Sequence, residues 1–278
     1  MRKRILLITA AAVSLLLCGC SSEKFKLTEQ ETNDVTYYLG EQKVTSKEPV
    51  ILLCHGLGGD HTDMQSAAEF FYDAGYAVVT FDLYGNPDET YTSDVCIDEM
   101  IEKSKSRIES IVADLEQSQI CDTSQLGIYG YSLGGMTAFY TAAYGNVTPK
   151  VIMTIAALPD FKYIIENSAD QMAAKYSIQK RRYVFTTDVD NQRLLAWAES
   201  HNPVDQIDRL ANIPILMVNG TDDPYMSIDR AREFQTEIEE KGGFIRVFEN
   251  PGGTHTDPGD FHVEDMLEIV TDIFSSEK

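Results

Sequence analysis

"GIYGYSLGG", residues 127–135, sets four glycines around a single serine. The stretch before it, "QLGIYGYS" at 125–132, is an apolar run that reads as a buried strand. The stretch after it, "LGGMTAFYTAAYG", reads as a helix that ends on a glycine stop. Gly130 and Gly134 stand two residues either side of Ser132. Glycine at those places removes the side chains where the incoming strand and the outgoing helix must approach, and a serine at so sharp a turn sits in strained backbone. The turn lifts the hydroxyl off the carboxyl end of the sheet, where sites of parallel sheets form. A glycine-rich turn with an incidental serine is the plain alternative, and the strand before and helix after argue against it.

The same alternation extends in both directions. "PVILLCHG" (49–56), "YAVVTFD" (76–82), "KVIMTIAAL" (150–158), "IPILMVNG" (213–220) and "GFIRVFEN" (243–250) read as strands. Residues 63–74 carry Met64, Ala67, Ala68 and Phe71 at helical spacing, and Val263 to Phe274 trace a closing amphipathic helix. "DVTYYLG" and "QKVTS" suggest a leading hairpin. Near-continuous apolar strands alternating with helices imply an α/β fold with a mostly parallel central sheet covered on both faces. One stretch breaks the rhythm. Residues 159–211 show helical pieces around 160–176 and 188–200, a basic knot "QKRRY" and no strong strand. A connection of that length is usually functional or separately structured. Its Trp197, Tyr163, Tyr176, Tyr183 and Phe185 make it too aromatic for disorder. It reads as a small helical lid, its aromatics expected to wall a substrate pocket.

The first residues carry a different message. "MRKR" followed by "ILLITAAAVSLLL" is a basic segment and then an apolar run too short to span a bilayer, which needs ~20 residues. It reads as an export signal over residues 1–19. The run closes on "LCGCSS", which resembles the bacterial lipobox, with Cys20 as the lipidated residue rather than Cys18, whose preceding Leu17 is bulky. An ordinary cleaved signal that contains cysteine is the alternative. Residues 20–33 then read as a polar tether and 34–278 as the folded domain. The expected location is the cell envelope, with membrane contact through the lipid alone. The net charge is −21, and losing the three basic residues of the signal takes it to −24. That surface repels phosphate backbones, so nucleic acid is not an expected partner.

Cys96 and Cys121 flank a helical pattern from Ile97 to Leu115. Such a helix over about 97–118 is ~33 Å long, so its ends cannot meet in a disulfide. Cys54 lies in an apolar strand and reads as core. No disulfide framework and no metal-ligand spacing emerges.

With these elements in place, residues 34 to 276 resemble the α/β-hydrolase superfamily, in its dienelactone-hydrolase and small bacterial esterase branches. The resemblance implies three further positions, in the chain order nucleophile, acid, histidine. "HGLGGD" (55–60) resembles the oxyanion segment, implying that the main-chain N–H groups of Leu57 and Leu133 stabilise a developing oxyanion; His55 there supports the loop. "NGTDDPYMS" (219–227) resembles the turn of the triad acid, which falls on Asp223, with adjacent Asp222, or Asp160 one strand earlier in "ALPDF", as the other candidates. "NPGGTHTDPGDF" (250–261) resembles the histidine loop, with His255 as base. His262 reads as a capping or surface residue, and His61 and His201 as surface residues.

The implied triad is Ser132, Asp223 and His255, acting on a small-molecule ester through an acyl-enzyme, with no metal or cofactor. A serine peptidase of the prolyl-oligopeptidase type shares this core, though such enzymes usually carry an N-terminal propeller where a tether is expected here. A thioesterase, an acyltransferase and a non-enzymatic binding module on the same fold are the remaining readings. Oligomeric state is not fixed by any of these patterns.

Overall fold

Five parallel pairings build the centre of the fold, where the strands 49–54, 77–81, 151–155 and 215–220 are buried along nearly their whole length. The computed structural model describes residues 25–32, 35–40, 47–86, 95–167, 174–177, 182–185 and 191–276. In chain order the main sheet uses β1 (Leu27–Thr32), β2 (Val35–Gly40), β3 (Pro49–Cys54), β4 (Ala77–Phe81), β6 (Asp122–Tyr131), β7 (Val151–Ile155), β10 (Ile215–Gly220) and β11 (Ile245–Asn250). Their spatial order is β1-β2-β4-β3-β6-β7-β10-β11, with the β1–β2 and β2–β4 pairings antiparallel and the remainder parallel. Along β3, Val50, Leu52 and Cys54 face one apolar cluster while Ile51 and Leu53 face the other. That period of two, apolar at every step, is why the strand reads as an unbroken hydrophobic run.

One face is covered by α1 (Gln65–Asp73) and α8 (Val263–Ser275). The other is covered by α2 (Ile97–Ser118), α3 (Leu133–Tyr144) and α7 (Ile228–Glu240). Helix α3 is buried from Leu133 to Ala143, which accounts for its small, apolar composition. Helix α2 stops at Gln119, which takes a left-handed φ of 55° and donates its N–H to the Leu115 carbonyl. Cys96 and Cys121 sit at its two ends, and with Cys54 they are buried and free. Burial pushes the Cys121 thiol up to about 12, so it stays protonated and inert.

Two expectations from sequence are corrected. The segment 20–33 is not wholly a tether, because Leu27–Thr32 forms the antiparallel edge strand beside β2. None of its side chains is fully buried, and a strand exposed on both faces carries no hydrophobic signature. The leading hairpin therefore joins β1 to β2, while "QKVTS" lies outside the described residues.

The insertion is also not purely helical. It holds α4 (Phe161–Asn167), a hairpin of β8 (Ala174–Ser177) and β9 (Arg182–Phe185), α5 (Asn191–His201) and α6 (Ile207–Leu210). Strand β8 pairs with β5 (Val95–Cys96), the two residues that lead into α2, to make a second, three-stranded sheet. Strands of four residues, one flanked by charge, leave too short a pattern to distinguish from loop. The side chains of Tyr176, Tyr183 and Phe185 lie outside the described residues.

Candidate active site

Ser132 closes β6 and opens α3 with φ 50° and ψ −113°, a left-handed value that is sterically costly for any residue but glycine, on the order of 1–3 kcal/mol. The surroundings enforce it. The Ser132 N–H donates to the Ile155 carbonyl at 2.9 Å, tying the turn to neighbouring β7. A Cβ on Gly130 would stand 2.4 Å from the Gly134 carbonyl carbon, and one on Gly134 would stand 2.1 Å from the Cys54 carbonyl oxygen. Both glycines of the motif are therefore dictated by backbone-on-backbone approach. The second also sets the start of α3 against the end of β3.

Two more loops arrive from β10 and β11. After β10, the Asp223 side chain is wholly inaccessible to solvent. Its Oδ1 accepts from the Tyr225 and Met226 N–H groups at 2.8 and 2.9 Å, which leaves Oδ2 facing His255 Nδ1 at 2.9 Å. His255 Nε2 in turn lies 2.9 Å from Ser132 Oγ. The two loops are laced together through main chain: Thr221 N–H donates to the Asn250 carbonyl and Asp222 N–H to the Gly253 carbonyl, each at 2.9 Å. Only glycine fits at 220, where an added Cβ would come within 2.2 Å of the Gly253 oxygen.

Of the three candidate acids, the structure brings only Asp223 to the histidine. Asp222 is exposed and accepts from the Thr221 hydroxyl. Asp160 accepts from Arg230 Nε at 2.7 Å and from Asn202 Nδ2 at 3.0 Å, at the base of the insertion.

The segment "HGLGGD" follows β3 as expected. His55 is buried; its Nδ1 donates to the Gly56 carbonyl at 2.7 Å and its Nε2 accepts from the Leu83 N–H at 2.9 Å. Burial holds its pKa below the ordinary histidine value, so it is a neutral strut for the loop. Leu57 occupies the turn that Gly59 N–H closes onto the Gly56 carbonyl at 3.2 Å, and Leu133 is the first residue of α3. N–H groups in a helix's first turn have no intrahelical acceptor. Among the other histidines, His61 is only partly exposed, stacked on Tyr38 with Nδ1 at 2.8 Å from Asp82. His201 stacks on Trp197. His262 occupies the position before α8 and bridges Asn250 and Asp265. Among the described residues no cluster of His, Cys, Asp or Glu has metal-binding geometry.

Two supporting residues were not singled out by sequence. Tyr131, inside the quoted motif, donates its hydroxyl to the His255 carbonyl at 2.6 Å. Asn250 donates to the Pro258 carbonyl at 2.7 Å and the Asp260 carbonyl at 2.5 Å, bracing the histidine loop from within. Both residue types lay in quoted motifs, but nothing in the spacing said which way they pointed.

A mostly parallel sheet with a serine turn after its central strand, and an acid and a histidine after later ones, defines an α/β-hydrolase. A model of the dienelactone hydrolase family matches residues 35–257, and the chain belongs to that family. Solved structures with the same fold include TT1662 from Thermus thermophilus (TM-score 0.68, 14% identity, 91% of this chain and 99% of that one). They also include Est1E from Butyrivibrio proteoclasticus (0.62, 17%, 90% and 98%). An acylaminoacyl peptidase from Pyrococcus horikoshii is similar over 92% of this chain and 42% of its own (0.65, 14%). At these identities the likeness is one of fold. In sequence, an uncharacterized 31.7 kDa protein of the traX-finO intergenic region of Escherichia coli is 27% identical over 135 residues, 47% of this chain and 46% of that one. The chain spans about half the length of the curated relatives it matches.

Proposed function

We propose that this hydrolase is a serine enzyme that cleaves carboxylic esters through an acyl-enzyme. The observation that carries the reading is the unbroken relay from Ser132 Oγ to His255 Nε2 and from His255 Nδ1 to the buried Asp223 carboxylate, both links 2.9 Å. A serine hydroxyl is a weak nucleophile at its free pKa, and a base within hydrogen-bond reach activates it. As Ser132 Oγ attacks the carbonyl carbon, its proton passes to His255 Nε2 and the carbonyl π pair moves onto oxygen. The N–H groups of Leu57 and Leu133 receive that oxyanion, each such donor being worth about 2.7–4 kcal/mol. Collapse restores the carbonyl and breaks the bond to the alcohol oxygen, which leaves with the proton from His255. Water then repeats the sequence on the acyl-enzyme and regenerates Ser132. Asp223 fixes the Nδ1–H tautomer and stabilises the imidazolium. These steps call for no metal or organic cofactor.

The test is a panel of aryl esters of increasing acyl length, aryl thioesters and dipeptidyl anilides, with fluorophosphonate labelling. Ester turnover with little anilide turnover supports the reading, and the reverse favours the peptidase chemistry of the acylaminoacyl peptidase with which the fold is shared. Ser132→Ala should abolish labelling and lower turnover by about 10⁶-fold with the fold intact. Labelling that persists in Ser132→Ala would falsify the nucleophile assignment.

The reading of an exported, Cys20-anchored protein belongs here too. Phe25 packs on Tyr72 at 4.9 Å between ring centres, five residues after Cys20. Five extended residues reach at most ~18 Å, so an anchor at Cys20 holds the α1 face close to the headgroups. Mass spectrometry of the mature terminus decides this, with a diacylglyceryl Cys20 expected and an unmodified terminus beyond residue 20 as the contrary result.

A further inference from the structure

The sheet face covered by α1 and α8 holds a cavity of about 450 Å³, at the carboxyl end of the strands. Its walls include Leu57 of the oxyanion turn, Met64 and Ala67 beside the start of α1, Phe70 in mid-helix, Tyr131 and Phe261. The volume falls within the range of small-molecule pockets, and the walls are overwhelmingly apolar. Only two large hydrophobic residues are well exposed among the described residues, and one of them, Phe261 at 42%, stands at this rim. The cavity borders the reaction centre through two of its walls, while neither Ser132 nor His255 lines it. Leu57 supplies a proposed oxyanion N–H, and Tyr131 is covalently adjacent to Ser132. None of its described lining residues belongs to the 159–211 insertion.

From this we propose that the cavity receives the acyl chain of the ester, and that the preferred acyl group is uncharged and of medium length. The inference rests on the serine-esterase reading above. The acyl side is assigned by the chemistry of the relay. The leaving alcohol must depart within reach of His255 Nε2, which returns its proton, whereas the acyl chain shares its carbon with the oxygen held at the oxyanion turn. The cavity is walled by that turn and not by His255. The charge preference comes from Asp63, the one carboxylate among the described lining residues, exposed and accepting from the Asp60 N–H at 3.3 Å. An anionic chain would lose its hydration in the apolar cavity and, on entering, meet this like charge, which solvent partly screens.

The experiment uses p-nitrophenyl esters from acetate to decanoate on the full chain. Burying a methylene is worth about fourfold in kcat/KM, so the wild-type octanoate-to-acetate ratio should climb steeply along the series. Ala67→Trp fills the cavity and should cut that ratio at least tenfold. Should Ala67→Trp fail to fold, Phe261→Ala at the exposed rim should also flatten the series, by a smaller factor. A hemisuccinate ester should turn over at least tenfold more slowly than the butyrate, and Asp63→Asn should narrow that gap. Fluorophosphonate labelling of Ser132 separates the two readings. Ratios unmoved by both wall substitutions, with labelling intact, overturn the cavity assignment alone. Absent labelling and absent ester turnover in wild type overturn the esterase reading and this inference with it.

Discussion

The loops that carry Ser132, Asp223 and His255 and the insertion between β7 and β10 both leave the carboxyl end of the sheet, but they are closed in different ways. The three loops are closed by main chain: Gly134 against Cys54, Gly220 against Gly253, Ser132 N–H onto the Ile155 carbonyl. The insertion is closed mostly by side chains. At its base, Asn202 accepts from the Phe161 N–H at 2.7 Å and donates to Asp160, which Arg230 also holds. On its outer side Arg193 pairs with Asp98, and Trp197 donates to Glu102 at 2.7 Å while stacking on Phe161. Backbone packed as closely as at Gly134 and Gly220 leaves only glycine admissible and so prints itself in the sequence. A side-chain contact admits many residue pairs and prints almost nothing.

The largest effect that sharpens this contrast lies in the three candidate acids. Asp223→Asn should lower kcat by about 10⁴, because an amide at Oδ2 favours the wrong histidine tautomer. Asp222→Asn should change it by less than about threefold, as an exposed surface polar residue. Asp160→Asn should act on stability instead, leaving the buried Arg230 with Glu237 and Glu233 as its remaining carboxylates. Steady-state kinetics beside thermal melts separates the three. A kcat collapse in Asp160→Asn with an unchanged melt breaks the contrast.

Next comes Gly134→Ala. A methyl 2.1 Å from the Cys54 oxygen has no room, and the obstructing atom is backbone. We expect a loss of about 3 kcal/mol or more in unfolding free energy, at the upper end for overpacking, with activity lost in step as α3 moves off the oxyanion turn. A stable, active Gly134→Ala protein would show that the motif glycine is incidental. Trp197→Ala should cost about 2–4 kcal/mol, since the indole is partly buried among Phe161, Tyr140 and His201. Because Trp197 is committed to packing, it should leave the octanoate-to-acetate ratio of the remaining folded enzyme within about twofold. A shifted acyl preference would return the insertion to the pocket-walling role expected from sequence.

The legibility of the molecule follows the same division. The strand–Ser132–helix turn, the parallel core strands and the helix over 97–118 were readable because both faces of the sheet are covered and the period survives. Position alone chose Asp223 over Asp222, and the structure shows why: two N–H groups of the turn fix one oxygen and aim the other. Strand β1 was invisible because both its faces are largely exposed. The hairpin β8–β9 was invisible because four-residue strands lack a measurable period. Tyr131 was overlooked in plain view, since alternation along β6 says which face it takes but not that its hydroxyl meets a carbonyl from 124 residues away.

Tyr131 is therefore the residue at which the contrast itself is weakest, a side chain closing a main-chain loop. Its hydroxyl holds the His255 carbonyl at 2.6 Å, so the backbone of the proposed base is tied to the residue preceding the proposed nucleophile. Burial first, then the nearby Asp223 and Asp257 charges, raise its pKa above the ordinary tyrosine value. The group is thus the neutral donor at every pH below its ordinary value of about 10, and no titration of Tyr131 enters the working range. Tyr131→Phe removes one buried hydrogen bond and no apolar volume, a change of about 0.5–1.5 kcal/mol. If the bond positions His255, that loss appears in kcat as a factor of roughly two to twelve, constant between about pH 6 and 9, with KM for the acetate ester little changed. A purely structural bond would lower the melting temperature and leave kcat of the folded enzyme as it was. A displaced pH–rate midpoint would instead mean that the hydroxyl tunes the imidazole itself, and the positioning role would have to be given up.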